Sequence, residues 1–369
     1  MRFSCEKVLL QNAVNTASRA VSSKSSIPAL EGLLLQAEEK LTISGYNMQT
    51  GIRTNLSAAI TEPGELVLNA RLFGDIIRRM PDDIIVFATD QNGSVHLSCA
   101  DSSFEIAFLS AEDYPELPAV EDQYSFTIQQ KTLKSMIEET IFAVSTNEAR
   151  PVHTGSLFEV EESELTMVSV DGFRLALRRE PIGHVEGGAF RFVAPGSALS
   201  EVEKICGDTE EEAVVTLGNR HLLFEVGDTQ LICRRLEGEF LDYKNAIPRK
   251  NPISLTVDTK AMITSIDRVS VVISDKLKSP VRCVFTDGKV SMSAKTGNGE
   301  ANDVCRLTGD GEGLEIGFNN RYLMEALRFA PADTVKLELN TSISPAIILP
   351  TEGEEKFLYM VLPVRLKNS

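Results

Sequence analysis

The sequence repeats one pattern of strands and helices three times, at intervals of roughly 125 residues. The copies begin with strand-like segments at 3–7, 126–131 and 255–260, and each segment runs into an amphipathic stretch. Each copy then passes a second time from a strand-like segment into a helical one, so the unit occurs six times. Because similar copies must build similar layers, this repeat constrains the architecture before any chemistry is considered. The predicted helices cover residues 6–19, 70–79, 131–141, 196–205, 260–270 and 321–329.

Short runs of alternating apolar and polar residues, separated by turn signals, predict many antiparallel strands around these few helices. The hydrophobic content of 43% excludes a disordered chain, and 369 residues are too many for one ordinary core. The predicted fold class is therefore α+β, with three tandem domains at 1–120, 121–249 and 250–369. The Asp-Tyr segments at 113–118 and 241–248 contain proline, which predicts extended linkers after the first two copies.

The expected location is the cytoplasm. No apolar run reaches the ~18–20 residues that span a bilayer, and the N-terminus lacks the pattern of a signal peptide. The six cysteines are scattered, without a Cys-x-x-Cys pair, which predicts buried free thiols in a reducing compartment.

Residues that commonly catalyse reactions are scarce. The chain has no tryptophan, and none of its four histidines has a partner signal nearby. The segment 170–174 is typical of a turn between strands, and 309–313 lacks the Lys-Ser/Thr pair of a phosphate-binding loop. We therefore expect no catalytic residue, no metal site and no cofactor. An enzyme with a site hidden between the repeats is the alternative, and a turnover assay would be needed to support it.

Charge is distributed unevenly along the chain. The net charge is −16, yet the six helical windows contain twelve basic and eight acidic residues, so the helices carry +4 and the rest −20. Arg71, Ser197 and Arg321 occupy equivalent positions in the second helix of each copy. Equivalent helices that face one way would form a basic surface for phosphates, which binds without reading bases. The alternative is a protein-binding scaffold without DNA, in which these residues only form solvated ion pairs.

The C-terminal segment 357–366 is almost wholly apolar. Half of it is expected to form a last core strand. Pro363 should end the pairing of that strand and leave Val364 and Leu366 outside it. An exposed apolar tail in this position indicates a groove for partner peptides.

The triple repeat, the segments 28–35 and 170–176, and the terminal Leu362-Pro363-Val364-Arg365-Leu366 together resemble the bacterial DNA polymerase III beta subunit family, the sliding clamps. The resemblance covers the whole chain. It implies clamp-type domains of two strand-helix-strands units each, joined in a head-to-tail homodimeric ring with helices inside and antiparallel sheets outside. Such a ring encircles duplex DNA without sequence specificity and catalyses no reaction. It is a processivity factor in the cytoplasm, associated with the nucleoid during replication.

The same resemblance implies partners and sites. The replicative polymerase, the clamp loader and other proteins with a clamp-binding motif would insert peptides into a pocket between domains 2 and 3. The pocket residues implied are His153, Val170, Gly172, Phe173, Arg174, Leu175, Leu241, Asn245, Ala246, Tyr322, Ile343, Met360, Val361, Leu362, Pro363, Val364 and Arg365. The DNA-binding residues implied are Lys24, Arg71, Arg78, Arg79, Arg150, Lys204 and Arg321. The dimer seam would pair Phe104 and Ile106 of one chain with Val272 and Ile273 of the other.

Four positions in the pocket depart from the family pattern. Leu241 replaces a common proline, Asn245 replaces a basic residue, and Ala246 replaces a larger apolar one. His153 lies where an apolar residue is frequent. The resemblance therefore leads us to expect an altered peptide preference beside domain 2.

Overall fold

A computed structural model describes residues 1–121, 123–273, 279–353 and 356–366. The chain forms two compact units, each containing whole sheets. The first unit comprises residues 1–134, 183–188 and 200–235, and the second comprises 135–182, 189–199 and 236–369. In the described residues no helix is long and apolar enough to cross a membrane.

The first repeat contains two helices, and the strands around them match the predicted alternation. Buried residues recur along the first helix at Leu10, Ala13, Val14 and Ala17, the spacing of one face. The elements are β1 (Arg2–Glu6), α1 (Lys7–Ala17), β2 (Gly32–Ala37), β3 (Leu41–Tyr46), β4 (Thr50–Leu56), β5 (Ala59–Glu62), β6 (Gly64–Asn69), α2 (Ala70–Arg79), β7 (Ile84–Thr89), β8 (Ser94–Cys99) and β9 (Ser102–Ala107).

The second repeat follows the same order and ends in an additional short helix. Its elements are β10 (Tyr124–Gln129), α3 (Gln130–Ile141), β11 (Gly155–Glu161), β12 (Glu164–Val170), β13 (Arg174–Pro181), β14 (Val185–Glu186), β15 (Phe190–Pro195), α4 (Gly196–Ile205), β16 (Glu212–Leu217), β17 (His221–Val226), β18 (Thr229–Arg234) and α5 (Tyr243–Ala246).

The third repeat has the same plan. Its elements are β19 (Ile253–Asp258), α6 (Thr259–Ser270), β20 (Val281–Thr286), β21 (Lys289–Thr296), β22 (Gly299–Thr308), β23 (Leu314–Phe318), α7 (Asn320–Arg328), β24 (Thr334–Leu339), β25 (Ala346–Pro350) and β26 (Phe357–Val361). Four 3₁₀ turns complete the described secondary structure, at Ser18–Ala20, Pro28–Glu31, Ala111–Asp113 and Pro151–Thr154.

Two of the three sheets cross from one repeat to the next. The first unit holds the sheets β5-β1-β7-β8-β9 and β14-β10-β16-β17-β18-β4-β3-β2-β6, and the second unit holds β15-β11-β12-β13-β26-β25-β24-β19-β22-β21-β20-β23. Antiparallel pairing of β18 with β4 joins repeats one and two, and that of β13 with β26 joins repeats two and three. In both joints, the third strand after the first helix of one repeat pairs with the last strand of the following repeat.

One kind of ion pair also recurs in all three repeats. The lysine at or near the start of each first helix binds an acidic residue in the loop after the second helix. The pairs are Lys7–Asp82 at 2.7 Å, Lys131–Glu210 at 2.7 Å and Lys260–Asp333 at 2.9 Å. A cation is poorly placed at a helix N-terminus, and the loop acid offsets it.

The structure corrects the prediction for residues 241–248 and confirms the prediction for the cysteines. The predicted extended linker at 241–248 is wrong, because Tyr243–Ala246 forms one helical turn. The Asp242 side chain accepts the Asn245 N–H at 3.3 Å, and the buried Tyr243 hydroxyl donates to Glu159 at 2.6 Å, which together hold that turn. All six cysteines are free and buried, as the sequence predicted.

Candidate nucleic-acid and partner-binding sites

A cleft of about 800 Å³ lies between α1 and α2 in the first unit. Asn69 begins α2 by accepting the Leu72 N–H at 3.0 Å, and this cap places the following arginine at the cleft. The residues lining the cleft are Asn15, Ser18, Arg19, Val21, Ser22, Ser23, Glu31, Asn69, Ala70, Arg71, Gly74 and Arg78. Guanidinium, hydroxyl and amide groups of this kind donate hydrogen bonds to phosphate oxygens.

The charge count of the six helical windows does not include every carboxylate that contacts the helices. Ten of the twelve basic helix residues form ion pairs, and five of the acidic partners, Asp82, Asp208, Glu210, Asp303 and Asp333, lie outside the six windows. The window sum missed them because the loops and strands beside the helices supply the carboxylates. Among the described residues, Arg71 and Arg328 are the two helix cations without an ion pair, and both are exposed.

The predicted DNA-binding residues therefore fall into two groups. Lys24, Arg71 and Arg150 are exposed and have no ion pair in the described ranges. The other four form ion pairs with carboxylates. Arg78 and Arg79 bind Asp75, Lys204 binds Glu201 at 2.8 Å, and Arg321 binds Glu325 at 2.9 Å. An unpaired guanidinium can bind phosphate without first losing a carboxylate partner.

The predicted pocket residues all lie in the second unit, where several share one apolar cluster. Val170 ends β12, Leu175 belongs to β13 and Met360 to β26, and each is almost completely buried. Antiparallel pairing sets Leu175 opposite Met360, which brings the two together from distant parts of the sequence. Val361 is wholly buried in a different cluster, so its side chain forms core rather than pocket surface.

Arg174, one of the predicted pocket residues, is largely buried and makes several polar contacts. Its side chain is 7% exposed. Its Nε donates to Asp171 at 2.9 Å, and its remaining nitrogens bind Glu325 and the Phe142 carbonyl. The guanidinium carbon also lies 4.5 Å from the ring centroid of Tyr322. These contacts engage all three guanidinium nitrogens and hold β13, the end of α3 and α7 together.

The turn before Arg174 places an aromatic pair on the surface. Gly172 has φ +90°, the left-handed region that favours glycine, and the Asp171 side chain accepts the Phe173 N–H at 2.9 Å. Phe173 is 59% exposed, and its ring stacks on Tyr322 with centroids 6.1 Å apart. An exposed stacked pair is a suitable contact for an apolar side chain.

The C-terminal tail leaves the strand ladder as predicted, but it is not freely exposed. The strand β26 ends at Val361, and the Leu362 N–H then donates to the Phe173 carbonyl at 2.8 Å. Val364 forms a bridge to Gly317. Leu362, Pro363, Val364 and Leu366 are half-buried, whereas Arg365 is exposed. Backbone hydrogen bonds to its neighbours explain why the tail is covered despite Pro363.

The structure does not bring every predicted pocket residue into the cluster. Asn245 and Ala246 are exposed on α5, and the Asn245 amide donates to its own neighbour Asp242. Ile343, 76% exposed, lies in the loop between β24 and β25, and Leu241 is 42% exposed. His153 contacts the Phe240 ring edge-on at 5.6 Å between centroids.

Sequence reasoning missed several members of the cluster. Val152, Leu177, Tyr243 and Ile347 are buried in it, and Phe240 and Ile247 pack against it. Two of them carry a usable signal, since Leu177 continues the alternation of Leu175 along β13. Tyr243 is the aromatic residue of the Asp-Tyr segment, which we interpreted only as part of a linker.

The predicted seam residues lie in two places, one in each unit. Phe104 and Ile106 belong to β9, the last strand of its sheet, and Phe104 is exposed. Val272 and Ile273 follow α6 and are half-buried against the core of the third repeat. The nearby Val271 and Val304 are more exposed, at 81% and 53%, and sequence reasoning did not select them. Val304 faces outward from β22, as its alternation with the buried Cys305 indicates.

One group of possible metal ligands occurs in the described part of the chain. Asp90, His96 and Glu105 each place one atom within 4.8 Å of the others. The His96 Nε2 lies 3.4 Å from Asp90 and its Nδ1 lies 3.8 Å from Glu105. Because His96 and Glu105 face each other across β8 and β9, the group fits an exposed cross-strand pair.

Comparisons with known proteins give one consistent result. Models of the DNA polymerase III beta subunit match the chain in order: the N-terminal domain at residues 1–118, the central domain at 127–242 and the C-terminal domain at 244–365. Beta sliding clamps from Halalkalibacterium halodurans and Synechocystis are 31% and 32% identical to it, covering 99% and 100% of this chain and all of theirs.

Solved structures agree. A putative DNA polymerase III beta subunit from Eubacterium rectale is 30% identical with a TM-score of 0.92, and the match covers 99% of both chains. The DNA polymerase sliding clamp from Bacillus subtilis is 27% identical with a TM-score of 0.93, and the match covers all of both chains. The chain therefore belongs to the DNA polymerase III beta subunit family, the bacterial beta sliding clamps, which are processivity factors and not enzymes.

Proposed function

We propose that two copies of this chain close head to tail into a ring that encircles duplex DNA and tethers the replicative polymerase. The observation that carries this proposal is the consecutive match of three beta-subunit domains along one chain. The domain limits 1–120, 121–249 and 250–369 are part of the proposal. The ring acts in the cytoplasm, on the DNA of the nucleoid.

The sheet joints support a head-to-tail dimer. Each joint within the chain pairs the third strand after one repeat's first helix with the last strand of the next repeat. One strand of each kind is left over, namely β22 of the third repeat and β9 of the first. In the described residues β9 has one partner, and the Gly299–Arg306 part of β22 pairs with β21 alone. Pairing β22 of one chain with β9 of another repeats the same joint and closes a symmetric dimer.

The unpaired strands also carry the apolar residues that such a seam needs. Phe104 and Ile106 lie on β9, while Val304 lies on β22 and Val272 and Ile273 follow the neighbouring helix. An unpaired strand edge is a template for pairing with another chain. Dimer formation would remove both edges from solvent.

The proposed DNA contacts are sequence-independent. The exposed, unpaired Lys24, Arg71 and Arg150 are the strongest candidates, and the arginine-lined cleft beside α1 and α2 supplies further donors. Because the ring holds DNA by topology, a small number of phosphate contacts is sufficient. Their weakness allows the ring to slide.

Partner proteins are proposed to bind at the apolar cluster and tail of the second unit. The polymerase, the clamp loader and other proteins with a clamp-binding motif would insert apolar side chains beside Phe173, Tyr322 and the half-buried tail. An extended peptide with apolar anchors suits such a surface. The contact is reversible, so different partners can exchange on one ring.

Light scattering tests the ring. We expect the mass of a dimer, and we expect Phe104→Asp to give the mass of a monomer because it places a charge in an apolar seam. Phe190→Asp, an aromatic residue on another strand, is the matched control and should remain dimeric. A wild-type monomer at micromolar concentration would contradict the proposal.

A DNA retention assay tests the topological link. After loading with a clamp loader, the protein should stay on nicked circular DNA and leave the same DNA once it is made linear. Equal loss from both forms would contradict encirclement. Deleting residues 362–369 should leave the dimer intact and abolish pull-down of the polymerase.

A further inference from the structure

A second cleft, of about 480 Å³, lies in the second unit between the turn at 150–153 and the loop at 237–242. Its apolar lining comes from Pro151, Val152, Phe240 and Leu241. His153 belongs to this lining. Burial and the nearby Arg150 charge lower the pKa of His153 below its usual value.

The rim of this cleft is acidic. Glu237 and Glu239 are exposed, and neither forms an ion pair with any residue that the structure describes. Asp242 also lines the cleft, although its carboxylate accepts hydrogen bonds from Asn245. Arg150 is the one cation among the lining residues. Three carboxylates against one guanidinium leave an excess of negative charge around an apolar surface.

The cleft continues into the proposed partner site. Val152 is buried in the same apolar cluster as Leu175 and Met360, and Phe240 packs against that cluster. A peptide that covers the cluster can therefore extend over the cleft. Its flanking residues would then meet Glu237 and Glu239.

We infer that the cleft selects partner peptides in which the apolar anchor is flanked by lysine or arginine. The apolar side chain covers Val152 and Phe240, and the flanking cation lies between the two unpaired glutamates. An acidic flank is rejected, because like charges meet and Arg150 is the one cation among the lining residues that offsets them. This inference rests on the proposed function, since it names the chemistry of the peptides that the same region binds.

Fluorescence anisotropy with three synthetic peptides tests whether the cleft selects peptides by the charge of their flank. Each carries one Leu-Leu-Phe anchor, with lysines, glutamines or glutamates on the flank. At low ionic strength we expect the lysine peptide to bind about fivefold more tightly than the glutamate peptide, with a difference that shrinks as salt is added. The Glu237→Lys, Glu239→Lys double variant should reverse this order. Glu352→Lys, the same charge change in the loop between β25 and β26, should not alter it.

The possible outcomes distinguish a failure of the charge selection from a failure of peptide docking. Equal affinities for the three peptides would overturn the charge selection while leaving peptide docking supported. Binding of none of them would count against docking itself, and against the inference with it. A preference for lysine that survives in the double variant would also overturn the inference, because the attraction would then come from elsewhere on this acidic protein.

Discussion

Glu139 offers a quantitative test of how the second and third repeats are joined. It lies on α3, and its carboxylate binds Arg178 of β13, which also binds Glu180. Arg178 pairs in register with Phe357 of β26, so this cluster lies beside the strand joint. Two carboxylates share one guanidinium, and all three groups are nearly buried. Burial, opposed in part by Arg178, raises the pKa of Glu139 from 4.5 to about 7.

The raised pKa of Glu139 determines the sign and the size of its contribution to the pH dependence of folding stability. The folded protein holds the Glu139 proton more tightly than the unfolded chain does. The resulting stability is complete below about pH 4.5 and is lost as pH rises through about 7. Each tenfold difference in proton affinity between the two states corresponds to about 1.4 kcal/mol, so the loss is about 3 kcal/mol. Glu139→Gln mimics the protonated form, so we expect it to stabilise the fold by about that amount at pH 8 and to change little at pH 5.

Urea unfolding at pH 5, 6, 7 and 8 measures this difference. Only the comparison of wild type with variant isolates Glu139 from the other titratable groups of the protein. Glu138→Gln makes the same chemical change one residue earlier on the helix and should not reproduce the effect. If wild type and Glu139→Gln lose stability in parallel from pH 5 to 8, the account of this buried cluster is wrong.

Two further substitutions test the partner site. A Cβ at Gly317 would lie 2.6 Å from the Val364 carbonyl oxygen and 2.7 Å from the Leu366 side chain, so Gly317→Ala should free the tail and speed its digestion by carboxypeptidase. Gly297→Ala, where a Cβ meets nothing within 4 Å, is the control, and equal digestion rates would refute the packing argument. Arg174→Lys cannot satisfy the several acceptors around the guanidinium and should lower the free energy of unfolding by about 2 kcal/mol in urea. A loss below about 0.5 kcal/mol would show that those contacts are dispensable.

The elements were predictable because local signals and the repeat agree. The six predicted windows match six of the described helices to within one residue at each end, except at the end of α1, where the last turn becomes a 3₁₀ turn at Ser18–Ala20, and the short helix α5 was not predicted. The turn at 170–174 also formed where glycine allows a left-handed backbone. These features depend on residues close in sequence, which periodicity and turn chemistry describe well.

The site was less predictable because its contacts are long-range. No local pattern shows that Arg174 binds a glutamate 151 residues later. The charge count of the helical windows is incomplete for the same reason. Lys131 finds its carboxylate 79 residues away, in a loop that a window count assigns to the rest of the chain.

A comparison of two equivalent turns shows how function is added to a repeated scaffold. In the first repeat, Asn47 accepts the N–H groups of Gln49 and Thr50 at 3.0 and 2.8 Å, and Met48 has φ +70°. In the second repeat, Asp171 accepts the two equivalent N–H groups at 2.9 and 3.1 Å, and Gly172 has φ +90°. The backbone conformation of the turn and its two hydrogen bonds to the side chain are therefore the same in both copies.

The two turns differ in the chemistry of their side chains. An aspartate has a second charged oxygen where an asparagine has an amide, and in the second repeat that oxygen binds Arg174, the counterpart of Thr50. The arginine then reaches α7, and the turn presents Phe173 to solvent. The repeat alone would give three interchangeable turns. The Asn-to-Asp and Thr-to-Arg differences place one of them at the proposed partner site, so in a repeated chain the departures between copies indicate function more directly than the shared pattern does.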